Sequence, residues 1–179
     1  MFGPTAPTPT FEHLFSINVD MGDKHVVKAS TGMRTSKPLL SGDVKDVSGE
    51  VVGHIVPNTS SSHGIVDAYG TYHPSVSMTI QWEEDKTFAY LDLSGVGTLG
   101  RPTTVYIHME ADTSSSYFWL NRRFMIGKVS HSPDGTLGYF DIFVLQESPV
   151  SEKPPVHLET TTTTEAAHDT PLIPVDATA

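Results

Sequence analysis

The chain has 179 residues, 37% of them hydrophobic, which is enough for one core, and a formal net charge of −10. That acidity disfavours nucleic acid and anionic membranes as partners, because both need a basic face. Without cysteine there is no disulfide framework and no thiolate zinc site. No apolar run reaches the length of a membrane span, and Met1-Phe2-Gly3-Pro4 lacks the basic and apolar regions of a signal peptide, so a cytoplasmic location is expected.

Thirteen prolines and fourteen glycines argue for many short strands rather than long helices. The first ten residues, rich in Thr and Pro, read as a flexible arm. From Phe11 to Asp20 the residues Phe11, His13, Phe15, Ile17 and Val19 alternate onto one side, as in a strand. Further strand-like runs follow at Lys24 to Ala29, Glu50 to Val56, Gly64 to Tyr72, Ser75 to Glu83, Thr87 to Ser94, Thr103 to Ala111, Tyr117 to Val129 and Thr136 to Gln146. Turn signals separate them at Met21-Gly22-Asp23, Pro57-Asn58-Thr59, His73-Pro74, Glu84-Asp85-Lys86, Gly100-Arg101-Pro102 and Ser132-Pro133-Asp134-Gly135. The cluster Thr59 to Gly64 reads as a mobile loop over the barrel, and Gly95 to Gly100 as a loop rather than a dinucleotide site, since no helix follows it.

Short strands at regular spacing predict an all-β fold, a single antiparallel barrel of eight to ten strands, because closing the sheet removes its exposed edges. The expected domain covers residues 11–147. Residues 148–179 hold the run Thr160-Thr161-Thr162-Thr163-Thr164, recurring prolines, five acidic residues and one lysine. That composition predicts a disordered tail, with Pro171-Leu172-Ile173-Pro174-Val175 as a short apolar run able to dock on a barrel or a partner.

The stretch Trp119-Leu120-Asn121, followed by Gly127 and the Pro133-Asp134-Gly135 hairpin, resembles the C-terminal signature of the domain-of-unknown-function 3237 family. Phe11 to Asp20, Asp67 to Tyr72 and Leu91 to Gly97 resemble its earlier strands in the same order. The resemblance implies a calycin-like barrel and carries no activity. The chain departs from the pattern at His108, which stands where an Arg is usual.

Strand parity sorts the candidate site residues. Asp67 and Tyr69 share a face, as do Tyr106 and His108, and so do Trp119, Asn121 and Arg123; Tyr90 is placed on the corresponding face of its strand. If those faces look inward, they line one pocket with apolar walls and a few polar groups. Asp67 and His108 are then the acid/base pair, and Tyr69, Tyr90, Tyr106, Trp119, Asn121 and Arg123 bind substrate. The alternative turns these faces to solvent, makes Asp67 a structural carboxylate holding backbone amides at a strand end, and leaves Glu110 and Arg123 as a surface ion pair.

Nine histidines show no pair at i, i+2 and no His-Glu-x-x-His pattern, so no metal site is expected. The reading that results is a cofactor-independent isomerase, cyclase or lyase acting on a largely apolar natural-product intermediate. A non-catalytic, lipocalin-like carrier is the alternative. The partner is a small apolar molecule, and a homodimer is compatible with the fold.

Overall fold

A computed structural model of the protein describes residues 8–146. The expectations for the C-terminal tail, and for all but the last residues of the N-terminal arm, lie outside the described residues. Ten strands form one sheet: β1 (Phe11–Met21), β2 (His25–Ala29), β3 (Gly32–Lys45), β4 (Val51–Ile55), β5 (Ser60–Asp67), β6 (Thr71–Trp82), β7 (Phe88–Thr98), β8 (Thr103–Ala111), β9 (Met125–His131) and β10 (Leu137–Leu145). A short 3-10 helix, Phe118–Arg122, joins β8 to β9.

Every pairing is antiparallel, in the order β1-β10-β9-β8-β7-β6-β4-β3, and β1 pairs β3 to close the barrel. The strands fill eight positions around it. β4 and β5 follow one another in a single position between β3 and β6, and β2 takes over from β1 along β3.

The longest strand, β3, was not expected. Its sequence, GMRTSKPLLSGDVK, has no clean alternation and contains Pro38. Pro38 falls between the last β1 partner, Leu39, and the first β2 partner, Ser36, where the ladder on that side is already interrupted. The Ser-rich segment expected to be a loop is β5, and His73-Pro74 lies inside β6 rather than in a turn. Gly95 and Gly97 belong to β7, and the bend comes later, at Gly100. Residues 117–124 are not a strand, and β9 begins only at Met125. The Ser132–Gly135 hairpin stands as read, with Gly135 at φ 71°, a conformation glycine adopts without steric penalty.

An eight-strand barrel is just wide enough for side chains to fill. In β8 the alternation is strict: Thr103, Val105, Ile107, Met109 and Ala111 are buried, and the residues between them are exposed. Val76, Met78, Ile80 and Trp82 of β6, Leu91 and Leu93 of β7, and Ile17, Phe140 and Ile142 join the same core. Each large apolar side chain buried this way contributes about 1.5–3 kcal/mol before entropy is counted.

One end of the barrel is plugged. The Trp82 and Tyr117 rings stack with centroids 3.9 Å apart at 18°, Phe15 lies 5.6 Å from Trp82, and Leu120 of the 3-10 helix is fully buried. Asp85 in the β6–β7 turn holds this plug. It accepts hydrogen bonds from Thr87 N and Oγ1 at 2.9 and 2.6 Å, and from Ser115 Oγ and Ser116 N at 3.0 and 2.9 Å, some thirty residues away.

The hydroxyl of Thr87, then the backbone amides, hold the Asp85 carboxyl well below its usual value of 3.8. A carboxylate that titrates lower in the folded chain contributes stability that is complete above the unfolded value and fades as pH falls below it. Asp85→Asn is therefore expected to lower the melting temperature at pH 7, with the gap to the parent protein closing as pH is taken below about 4. A gap that is constant across that range would show that the charge plays no part.

Candidate functional site

Opposite the plug, the inward positions change character. Lower in the barrel they carry Met, Leu, Ile and Phe. Near the mouth they carry Gly97 of β7, Thr103 of β8, Ser62 and Gly64 of β5, and Thr35 and Lys37 of β3. Of these, Thr35, Lys37 and Ser62 line a cavity of about 310 Å³, together with Met21, Tyr72, Leu99, His131 and the Pro133–Gly135 turn. That volume lies at the lower end of the range typical of small-molecule pockets.

The wall of β3, β5 and β6 is built around Tyr72, the inward residue at the mouth end of β6, which is only 8% exposed. Its ring occupies space that any residue but glycine would need at position 64. A Cβ there would lie 2.4 Å from Tyr72 Cε2 and 2.9 Å from both the Tyr72 hydroxyl and Thr35 Oγ1. Burial pushes the phenol above its ordinary value of 10, so it stays a hydrogen-bond donor at neutral pH.

On the facing side, the ammonium of Lys37 donates to the Gly135 carbonyl, tying β3 to the β9–β10 hairpin across the mouth. His131, at the end of β9, is an exposed residue, yet desolvation by the rim is the larger cause that holds its imidazole below the usual 6.5, with the charges of Lys37 and Lys24 adding to it. The imidazole is therefore neutral at pH 7 and able to take a proton. Asp134, the carboxylate on the same rim, is committed to its own turn through Ser132 Oγ, Thr136 N and Thr136 Oγ1. The Ser132 hydroxyl, then the Thr136 amide, hold it ionised, with a pKa of about 2.

The residues singled out from sequence parity are not at this mouth. Asp67 ends β5 on its outward side and accepts from Tyr69 N and Thr71 N, both at 2.9 Å, with His73 Nε2 at 3.4 Å. These bonds, the Thr71 amide first, lower its pKa, the opposite of what a desolvated general acid requires. Tyr69 sits in the turn after it and is 95% exposed. Tyr90, Tyr106 and His108 lie on the outward faces of β7 and β8. His108 Nε2 is 2.9 Å from Glu110 Oε1 at the surface, and Tyr106 packs on Phe124 with ring centroids 5.5 Å apart.

Trp119, Asn121 and Arg123 belong to the plug region. The Asn121 side chain pairs with Ala111 in both directions, Oδ1 accepting from its N at 2.6 Å and Nδ2 donating to its O at 2.9 Å. Arg123 donates to the Leu145 carbonyl at 3.3 Å and lies 5.8 Å from the Trp119 ring centre. The physical reason for the reversal is volume. The faces carrying Val, Ile, Leu and Met fill the barrel, and amphipathic aromatics with polar neighbours fall outside.

The mouth residues Thr35, Lys37, Ser62, Tyr72 and His131 were missed. For Tyr72 a signal existed, because Tyr72, Pro74, Val76, Met78, Ile80 and Trp82 alternate with polar residues along the whole of β6. Lys37 and His131 carried none.

No family model matches the chain, and no curated protein matches it. Solved structures are similar in fold. A conserved protein of unknown function from Rhodopseudomonas palustris aligns with a TM-score of 0.67 and 19% identity over 79% of this chain and 100% of that one. A β-barrel-like protein from Acinetobacter baumannii gives 0.64 and 20% over 79% and 99%. An enzyme from Penicillium herquei gives 0.60 and 20% over 81% and 100%. At such identities the likeness is one of fold. No helix among the described residues is long and apolar enough to cross a membrane.

The electrostatics of the mouth are open to direct measurement by NMR titration of the histidines. The His131 midpoint is expected below 6.5, and Lys37→Met should raise it part of the way back, since burial remains. A midpoint at or above 6.5 in the parent protein would contradict the assigned environment.

Proposed function

We propose that the chain is a small-molecule-binding barrel acting as a cofactor-independent isomerase, cyclase or lyase at its open mouth, in cytoplasmic natural-product metabolism. One observation carries the reading. A neutral imidazole at His131, a buried phenol at Tyr72 and an ammonium at Lys37 line one cavity at the end of an otherwise apolar barrel.

The chemistry follows from these groups. His131 takes a proton from an acidic C–H or O–H of the bound molecule. Lys37 stabilises the negative charge that develops on the neighbouring oxygen. Tyr72 returns a proton at a second position, so the substrate is rearranged with no net gain or loss. The imidazolium and the phenolate left behind then exchange their proton through solvent at the mouth. The rigid walls hold the reacting conformer in place, which itself lowers the barrier. The Penicillium herquei structure supports the reading to the extent that a barrel of this fold is described as an enzyme. The resemblance to the domain-of-unknown-function 3237 family adds the architecture and no reaction.

The test uses a carbon acid that needs no knowledge of the natural substrate. The protein is expected to speed exchange of the α-protons of 2-tetralone with deuterium oxide, followed by NMR. His131→Gln should remove the acceleration, on the scale of about 10²–10⁴ that a general base supplies. In that variant tetralone affinity should stay within about tenfold, because the cavity keeps its shape. Tyr72→Phe should slow exchange less, as it removes a proton donor and not the base. Binding without any acceleration in the parent protein would end the catalytic reading and leave a carrier.

A further inference from the structure

We propose that the mouth selects an apolar molecule bearing one acidic oxygen (a carboxylic acid, phenol or enol), held as its anion by Lys37. This rests on the mouth being the binding site, as set out above, and adds the class of ligand.

The chain has 21 acidic and 11 basic residues, yet two lysines, Lys24 and Lys37, line this cavity. Among the described residues neither is in an ion pair. Lys37 is half-buried and fixed through one hydrogen bond to the Gly135 carbonyl, so two of its three donors remain for a ligand. A partly desolvated ammonium gains more from an anion than from a neutral oxygen, because charge-assisted hydrogen bonds are the stronger kind.

The remainder of the lining sets the other properties of the ligand. Met21, Leu99 and Pro133 give an apolar surface, which a small inorganic anion would leave uncovered. Asp134 keeps its negative charge on the same rim, so a dianion such as a phosphate monoester meets repulsion where a monoanion meets a balanced field. The hydroxyls of Thr35, Ser62 and Tyr72 occupy the β3–β5–β6 wall and suit a second, neutral oxygen at the far side of the molecule.

Isothermal titration at pH 7.5 with 2-naphthoate and its neutral counterpart 2-naphthalenemethanol tests the proposal. The parent protein is expected to bind the naphthoate about tenfold or more tightly than the alcohol. Lys37→Met should abolish that preference while leaving alcohol affinity within about threefold, and Lys37→Arg, which keeps the charge, should retain it. Melting curves of both variants confirm that each is folded. Equal or tighter binding of the alcohol by the parent protein overturns the anion proposal and leaves the pocket reading standing. A naphthoate preference that survives Lys37→Met overturns it as well, because the anion is then held elsewhere. Failure of both probes to bind overturns the proposal together with the reading of the mouth as the site.

Discussion

Side-chain volume inside a closed barrel governs the rest of this structure. Eight strand positions enclose a space that ordinary apolar side chains fill completely, as they do from Trp82 and Leu120 at the plugged end up to Val105 and Leu93. A cavity can therefore exist only where the inward positions give up volume. They do so at the end opposite the plug, where Thr35, Lys37 and Ser62 line the cavity, while the room beside Gly97 is taken by Thr103. The same economy of space fixes Tyr72, whose ring takes the room that a glycine at 64 leaves free.

Plug and mouth divide the labour of the fold. The Asp85 network, the Trp82–Tyr117 stack and the paired amide of Asn121 close one end and make few demands on chemistry. The polar groups there are held locally, Asp85 by Thr87, Ser115 and Ser116 and the Asn121 amide by the Ala111 backbone. The mouth is the reverse. It sets polar residues around the opening of the barrel, Tyr72 buried, Lys37 half-buried and His131 exposed at the rim. Residues held in this way are poor choices for stability, and natural sequences tolerate such positions at functional sites.

Much of the fold was legible in the sequence, and the candidate site was not. Strict alternation in Thr103–Ala111, the Pro133-Asp134-Gly135 turn and the density of glycine and proline led to an antiparallel barrel, which the topology bears out. Parity alone cannot say which face of a strand looks inward. Assigning the aromatic and polar face of β8 to the interior placed Tyr106 and His108 in a pocket, whereas Val105, Ile107 and Met109 fill the interior as core. Asp67 was misplaced for a related reason: its carboxylate caps the turn two to four residues ahead, a local role that a carboxylate beside a glycine turn commonly takes. Lys37 could not be found because β3 itself was hidden. A proline and a register shift near Leu39 broke the alternation that would have revealed the strand.

The central claim is that binding happens at the mouth, where Thr35, Lys37 and Ser62 line the cavity, and not on the outward faces of β7 and β8. Backbone and side-chain chemical shifts followed during titration with 2-naphthoate test it most directly. The account predicts that the perturbed signals cluster at Lys37, Ser62, Tyr72, His131 and Gly135, with those of His108, Tyr90 and Asp67 unmoved. Perturbations centred on Tyr106, His108 and Tyr90, with the mouth silent, would contradict it.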